Sequence, residues 1–142
     1  MLKGIPSVLQ PELLKILMEM GHGDTIVIGD GNFPAASMGK RVVRCDGVGT
    51  SVVLDAILQL MPLDSFVPAP VELMEVVPGD DYVPPVWDEY RGIIGKYEPV
   101  NNGIEHVERF EFYDRARAAY AVVSTSESAL YANIILRKGV IK

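Results

Sequence analysis

His22 is the side chain of this 142-residue sequence best suited to moving a proton. It stands in the run Gly21-His22-Gly23-Asp24, where the two glycines leave room for a ligand to approach the ring. Imidazole titrates near neutral pH and can both accept and donate a proton there. The same position also follows a predicted helix, whose negative end would attract a protonated histidine. The sequence pattern leaves both roles open.

Asp30 comes directly after a short β-branched segment, in the run Gly29-Asp30-Gly31-Asn32. In α/β proteins, ligands bind beyond the carboxyl ends of strands, and a carboxylate there can accept hydrogen bonds from two hydroxyl groups of a ligand. The flanking glycines would permit a close approach. Asp, Gly and Asn are also typical of turns, so an Asx turn is the alternative interpretation.

Two further segments offer polar groups that could hold a ligand. Arg109 carries five N–H donors in a rigid fork that suits vicinal hydroxyls or a carboxylate. The alternative for Arg109 is a salt bridge to a nearby acid: Glu108, Glu111 or Asp114. Tyr131-Ala132-Asn133 opens the last predicted strand and supplies hydroxyl, amide and backbone groups. That segment could equally be a capped strand start.

Other candidate motifs are weaker. The stretch from Gly31 to Arg41 departs from the phosphate-loop pattern, because Pro34 stands where a glycine is needed and Arg41 where Ser or Thr is needed. The run 47–51 could bind an anion at a helix N-terminus, or could be a turn and helix cap.

The spacing of His106, Cys45 and the pair Asp80-Asp81 does not fit a set of metal ligands, so we expect no metal and no cofactor.

The elements that must position these residues alternate between helix and strand. Leu13, Ile16, Leu17 and Met20 form one apolar stripe of a helix that begins at Pro11. Further helices are predicted over 50–61, 86–96 and 112–119, and strands over 25–28, 41–45, 71–77, 120–124 and 133–137. Residues 29–39 are predicted as a loop, and 104–109 is ambiguous. The alternation indicates an α/β fold.

Composition narrows the class of protein. One domain over residues 1–142 suits this length, and 49% hydrophobic residues suffice for a core. A net charge of −6 without any basic cluster argues against nucleic-acid binding. No apolar run reaches the ~20 residues that span a bilayer, so no membrane contact is expected. The single cysteine and the missing signal-peptide pattern favour a cytoplasmic protein.

Several motifs occur together in a known family, and the chain resembles the D-ribose pyranase / L-fucose mutarotase family from end to end. The matching stretches are 11–14, 20–24, Asp30 with 32–35, 37–39, 44–47, 63–65, 108–116 and 131–139. The Arg-Phe-x-Phe-Tyr run at 109–113 resembles the fucose branch. Some fucose relatives have His where this chain has Ala36, and Gly where it has Ala132.

The resemblance implies a three-layer α/β/α domain with a mixed, mostly parallel sheet. It implies an isomerase that exchanges the anomers of a free monosaccharide such as L-fucose and needs no cofactor. His22 would be the general acid/base, and Asp30, Arg109, Tyr131, Ala132 and Asn133 would line the sugar site. Family members form rings, often decamers, with sites near subunit contacts, so a homo-oligomer is expected. Pyranose–furanose exchange of D-ribose and sugar binding without catalysis are the alternatives.

Overall fold

A computed structural model describes all residues, Met1–Lys142, as alternating helices and short strands. The helices are α1 (Pro11–Glu19), α2 (Ala35–Met38), α3 (Thr50–Leu58), α4 (Val86–Tyr97) and α5 (Arg109–Ala118). The strands are β1 (Thr25–Gly29), β2 (Val42–Cys45), β3 (Val71–Met74), β4 (Ile104–Val107), β5 (Ala121–Thr125) and β6 (Ile134–Arg137).

The six strands form one mixed sheet in the order β2-β5-β1-β6-β3-β4. The pairs β2–β5, β5–β1 and β3–β4 are parallel, whereas β6 runs antiparallel to both of its neighbours. Successive residues of a strand point to opposite faces of the sheet. Ile26 and Ile28 of β1 therefore join the core on one face, and Val27 joins the core on the other.

Helices cover both faces of the sheet. The larger core contains Leu13 of α1, Leu54 of α3 and Tyr90 of α4. The smaller core contains Ala35 of α2 and Phe112 of α5. Burial of such side chains is the main force that holds these layers together. The prediction of a three-layer α/β/α fold with a mixed, mostly parallel sheet is confirmed.

The sheet has two ends that matter for the site. The end where the five mutually parallel strands finish is called the carboxyl edge, and it also holds the start of β6. The end where those strands begin is the amino edge, and it holds the end of β6. Asp30 and Asn133 are consequently brought to the carboxyl edge, although 103 positions separate them.

Local sequence explains most element boundaries. Pro11 takes the first position of α1, where its missing N–H costs no hydrogen bond. The Glu108 carboxylate accepts the N–H groups of Phe110 and Glu111 at 2.9 and 3.1 Å, so α5 begins at Arg109 rather than at the predicted Phe112.

One segment differs from the structure predicted from the sequence, and a second segment, ambiguous in the sequence, is a strand. The loop predicted over 29–39 is wrong in part, since it contains the short helix α2, which buries Ala35 against the sheet. The ambiguous segment is strand β4 over Ile104–Val107, which pairs with β3 at the edge of the sheet. No helix of the structure has both the length and the apolar character that crossing a membrane requires.

Candidate active site

A buried pair at the carboxyl edge ties the end of β1 to the start of β6. The backbone N–H of Asp30 donates to Asn133 Oδ1 at 2.8 Å, and both residues are only 6% exposed. Burial raises the pKa of the Asp30 carboxyl, and the N–H groups of Asn32, Phe33 and Ala132 only partly offset this. Asp30 Oδ1 also accepts from Asn32 N at 2.9 Å, so the Asx turn is present within the candidate site.

Tyr131 adopts an unusual backbone conformation beside this pair. Its φ of 57° places it in the left-handed region, and it is the only residue other than glycine with positive φ. Such a conformation is unfavourable for an aromatic residue and is often found at functional sites. The half-buried ring lies near Asp80, whose carboxylate is 3.5 Å from the Tyr131 hydroxyl, and faces Tyr82 at a centroid distance of 6.3 Å.

Arg109 lies at the same edge because it opens α5, directly after β4. Its Nε donates to the Tyr113 hydroxyl at 3.3 Å, and its guanidinium carbon lies 5.4 Å from the centre of the Phe110 ring. The alternative of a salt bridge is wrong. The neighbouring acids have other partners: Glu108 caps α5, Glu111 pairs with Arg115 and Asp114 pairs with Arg117. The guanidinium is exposed and retains free N–H donors.

Hydrogen bonds from the last residue of β5 and from the loop after it support the Asp30 turn. The Glu127 carbonyl accepts from Gly31 N at 2.8 Å, and Thr125 Oγ1 donates to the Gly29 carbonyl at 2.8 Å. The Glu127 carboxylate accepts the N–H of Ala129 and that of Thr50, the first residue of α3. These bonds lower the pKa of Glu127. The anion at the start of α3 is thus supplied by the chain itself, so the run 47–51 is a turn and a helix cap.

His22 lies at the amino edge, in the segment between α1 and β1. Its Nε2 is 3.0 Å from Asp64 Oδ1, and its ring packs against Phe66 with the ring centres 5.4 Å apart. The histidine side chain is 45% exposed, whereas that of Asp64 is 4% exposed. Burial would raise the pKa of Asp64, but the N–H of Phe66 and the His22 ring outweigh it and lower that pKa below its ordinary value.

The alternative role predicted for His22 was a positive charge at the C-terminus of α1. Another residue supplies that charge. Lys138 Nζ donates to the carbonyls of Leu17 and Met20 at 2.7 and 2.5 Å. A lysine charge therefore meets the negative end of this helix. The imidazole is left beside a carboxylate with Nδ1 facing no protein partner.

Within one chain, the structure does not bring the two halves of the predicted site together. Asp30, Arg109, Tyr131, Ala132 and Asn133 all lie at the carboxyl edge, and His22 lies at the amino edge. The five residues of β1 separate them by roughly 16 Å, at about 3.3 Å per residue. Within one chain, the carboxylate that contacts the His22 ring is therefore that of Asp64 and not that of Asp30.

Comparison with known proteins places the chain in a family. The RbsD / FucU transport protein family matches residues 3–141, which is nearly the whole sequence. The chain belongs to this family. It is 50% identical to a protein named L-fucose mutarotase from Actinobacillus pleuropneumoniae serotype 5b (strain L20) over 140 residues, which cover 99% of this chain and 97% of that protein.

Solved structures of the RbsD / FucU family share the fold. The crystal structure of the fucose mutarotase in complex with L-fucose from Streptococcus pneumoniae matches with a TM-score of 0.95 and 50% identity, covering 99% of this chain and 100% of that one. Bacillus subtilis RbsD, complexed with D-ribose, matches with a TM-score of 0.76 and 25% identity over the full length of both chains.

Asp64 contacts His22, although it is not among the site residues predicted from the sequence. The residue lies 42 positions from its partner His22, in a segment without helical or strand periodicity. The signal available in the sequence was the position of Asp64 in the matching stretch 63–65. In the structure, Asp64 Oδ1 also accepts a hydrogen bond from Phe66 N at 3.0 Å, which forms an Asx turn. No three side chains among His, Cys, Asp and Glu converge as metal ligands.

Proposed function

We propose that this protein is a mutarotase that interconverts the α and β anomers of free L-fucose by general acid/base proton transfer. The observation that carries this proposal is the set of polar groups at the carboxyl edge. Groups that can bind hydroxyls lie there together, on Asp30, Asn133, Tyr131 and Arg109, and the first two form a buried hydrogen-bonded pair. Relatives named L-fucose mutarotase at 50% identity, and the similar structure that holds L-fucose, support the choice of sugar.

The reaction requires only positioned proton transfers. A mutarotase opens and recloses a hemiacetal, so one proton leaves the anomeric hydroxyl while another reaches the ring oxygen. His22 would exchange a proton at the reacting centre through Nδ1, while Asp64 holds Nε2 and stabilises the imidazolium that forms. General acid/base catalysis contributes typically ~10²–10⁴-fold, or roughly 3–5.5 kcal/mol of barrier.

The carboxyl edge would fix the sugar ring. The Asp30 carboxylate and the Asn133 amide offer acceptors and donors to hydroxyl groups, and the Arg109 fork suits a vicinal pair. Tyr131 adds a hydroxyl and an aromatic face. These groups bind and orient the sugar, and the proton chemistry falls to His22.

We further propose that a complete site forms between two copies of the chain in a homo-oligomeric ring such as a decamer. His22 of one copy would face the carboxyl edge of the next, because one chain holds the two halves apart. Exposed apolar side chains lie beside both halves: Phe66 next to His22, and Phe110 and Leu130 next to Arg109 and Tyr131. Contact between copies would cover these side chains and exclude water from the sugar.

The decisive experiment measures anomer exchange of L-fucose by saturation-transfer NMR. We expect the protein to accelerate the exchange over buffer, and His22→Gln to lose that acceleration by about 10²-fold or more. Lys15→Gln is the control, since Lys15 is an exposed side chain of α1 that pairs with Glu19, outside the proposed site. Unchanged exchange in a folded His22→Gln protein would remove His22 from the mechanism.

The same assay separates the alternatives. A D-ribose pyranase would accelerate pyranose–furanose exchange of D-ribose more than anomer exchange of L-fucose. A sugar-binding protein without catalysis would gain thermal stability from L-fucose while exchange stays at the background rate.

We also propose a cytoplasmic location for the protein, because its single cysteine, Cys45, is buried and unpaired.

A further inference from the structure

Tyr131 needs external support to keep its conformation. With φ at 57°, the residue occupies the left-handed region, which costs free energy for any residue with a Cβ. It precedes Ala132 and Asn133, and Asn133 holds the backbone of Asp30. A relaxed Tyr131 backbone would therefore move the tyrosine ring and disturb the buried pair together.

Helix α4 supplies two hydrogen bonds to this segment. Trp87 Nε1–H donates to the Tyr131 carbonyl at 2.9 Å, and the Tyr90 hydroxyl donates to the Ala132 carbonyl at 2.6 Å. Residues three positions apart share one face of a helix, so both donors reach two successive carbonyls. A carbonyl only accepts, which fixes the direction of both bonds.

The two donors are themselves held in place. Tyr90 is fully buried, and its hydroxyl oxygen lies 2.6 Å from the hydroxyl oxygen of Thr50, at the start of α3. Trp87 is half-buried, and its ring packs against His106 with the ring centres 4.8 Å apart. Groups locked in this way can impose a precise geometry on a neighbouring segment.

We propose that Trp87 is a positioning residue of the sugar site, acting with Tyr90 as a clamp on the carbonyls of residues 131 and 132. Its indole N–H holds Tyr131 in the left-handed conformation that presents the tyrosine ring and the Asn133 amide to the sugar. This assignment rests on the proposed function. Trp87 touches neither the reacting atoms nor His22, so its effect falls on sugar binding.

The test compares Trp87→Phe with Tyr97→Phe by saturation-transfer NMR at varied L-fucose concentration. Trp87→Phe keeps an aromatic ring and removes the donor to Tyr131. Tyr97→Phe removes one bond from the same helix, to Asp55 at 3.0 Å, which lies outside the site. We expect Trp87→Phe to raise KM about fivefold to tenfold with kcat nearly unchanged, and Tyr97→Phe to leave KM at the wild-type value.

Combining Trp87→Phe with Tyr131→Gly tests whether Trp87 affects KM through the conformation of Tyr131. Glycine adopts positive φ freely, so in Tyr131→Gly the clamp has no strained backbone or ring to hold. We expect Trp87→Phe to change KM little there. A rise in KM that persists in the Tyr131→Gly background would overturn the proposal.

A crystal structure of the Trp87→Phe protein gives a readout that needs no activity. We expect Tyr131 to leave positive φ or its ring to be displaced. An unchanged Tyr131 conformation, with the Asp30–Asn133 bond intact, would overturn the proposal. If the wild-type protein failed to accelerate exchange of any aldose, the proposed function would fail separately, and this structure would still decide the role of Trp87.

Discussion

His22 and Asp64 form a hydrogen-bonded pair at the amino edge of the sheet, with Nε2 and Oδ1 3.0 Å apart. The carboxylate is buried and also accepts the N–H of Phe66, so its position is fixed. The imidazole is partly exposed and therefore reachable. A fixed carboxylate that holds one ring nitrogen leaves the other to exchange protons, which is the arrangement of an oriented general base.

The first prediction concerns the charge of Asp64. Asp64→Asn keeps Oδ1 as an acceptor for Phe66 N–H and for the ring, but removes the negative charge that stabilises the imidazolium. We expect kcat for anomer exchange to fall between about 10-fold and 10²-fold, less than on loss of His22, with KM little changed. The control is Asp114→Asn, an exposed carboxylate paired with Arg117. Wild-type kcat in Asp64→Asn would contradict the orienting role.

The second prediction tests a site shared between copies. His22→Ala and Asn133→Ala each damage a different half of the site. If each site takes one half from each of two copies, then subunits of both variants, mixed by unfolding and refolding together, recover some intact sites. In a random equal mixture we expect activity near about a quarter of the wild-type value, while each variant alone stays close to background. Mixtures no more active than the separate variants would contradict a shared site.

The third prediction concerns the pH dependence of stability. Because burial raises the pKa of Asp30 above the unfolded value of 3.8, the folded chain binds this proton more tightly than the unfolded chain. The stabilisation from Asp30 is present at low pH and is lost as pH rises from 3.8 through the raised pKa. Asp30→Asn should therefore be more stable than wild type above this window, with the difference shrinking as the solution is acidified.

Urea unfolding at a series of pH values measures this difference. Asp114→Asn serves again as the surface control and should show no comparable trend. The Asp30→Asn protein should also bind L-fucose less well, because the amide replaces one acceptor by a donor. A variant less stable than wild type at neutral pH would contradict the prediction.

The fourth prediction uses two glycines in opposite surroundings. A Cβ at Gly139 would meet backbone atoms of Leu63 and Asp64, which cannot move as a side chain could. We expect Gly139→Ala to lower the free energy of unfolding by about 1–3 kcal/mol and to reduce exchange, because Asp64 shifts from His22.

Gly92 gives the matched comparison. It lies in the exposed face of α4, and a Cβ there would meet nothing within 4 Å. Gly92→Ala should raise the free energy of unfolding by roughly 0.5–1 kcal/mol, because alanine favours helix, and should leave exchange unchanged. Thermal or urea unfolding of both proteins provides the measurement. Equal stability of the two variants would show that the contact with residues 63 and 64 is unimportant.

Local patterns in the sequence determined the elements. The apolar stripe after Pro11, the β-branched run of β1 and the apolar run of β6 each depend on neighbours a few positions away. The apolar pattern does not predict an element boundary that depends on a side-chain cap, nor a helix as short as one turn. The Glu108 cap extended α5 toward its N-terminus, and the short helix α2 was concealed by the glycines and Pro34 around it.

Residue types and motif order also determined which side chains could do chemistry, because an imidazole or a guanidinium carries its reactivity wherever it lies. Their grouping was decided only by the tertiary structure. Chain reversal in β6 joins Asn133 to Asp30, and β1 holds His22 away from both. Asp64 reaches His22 through the contact of Leu63 with Lys138 at the end of β6. Such long-range pairings follow from strand order and direction, which local spacing does not contain.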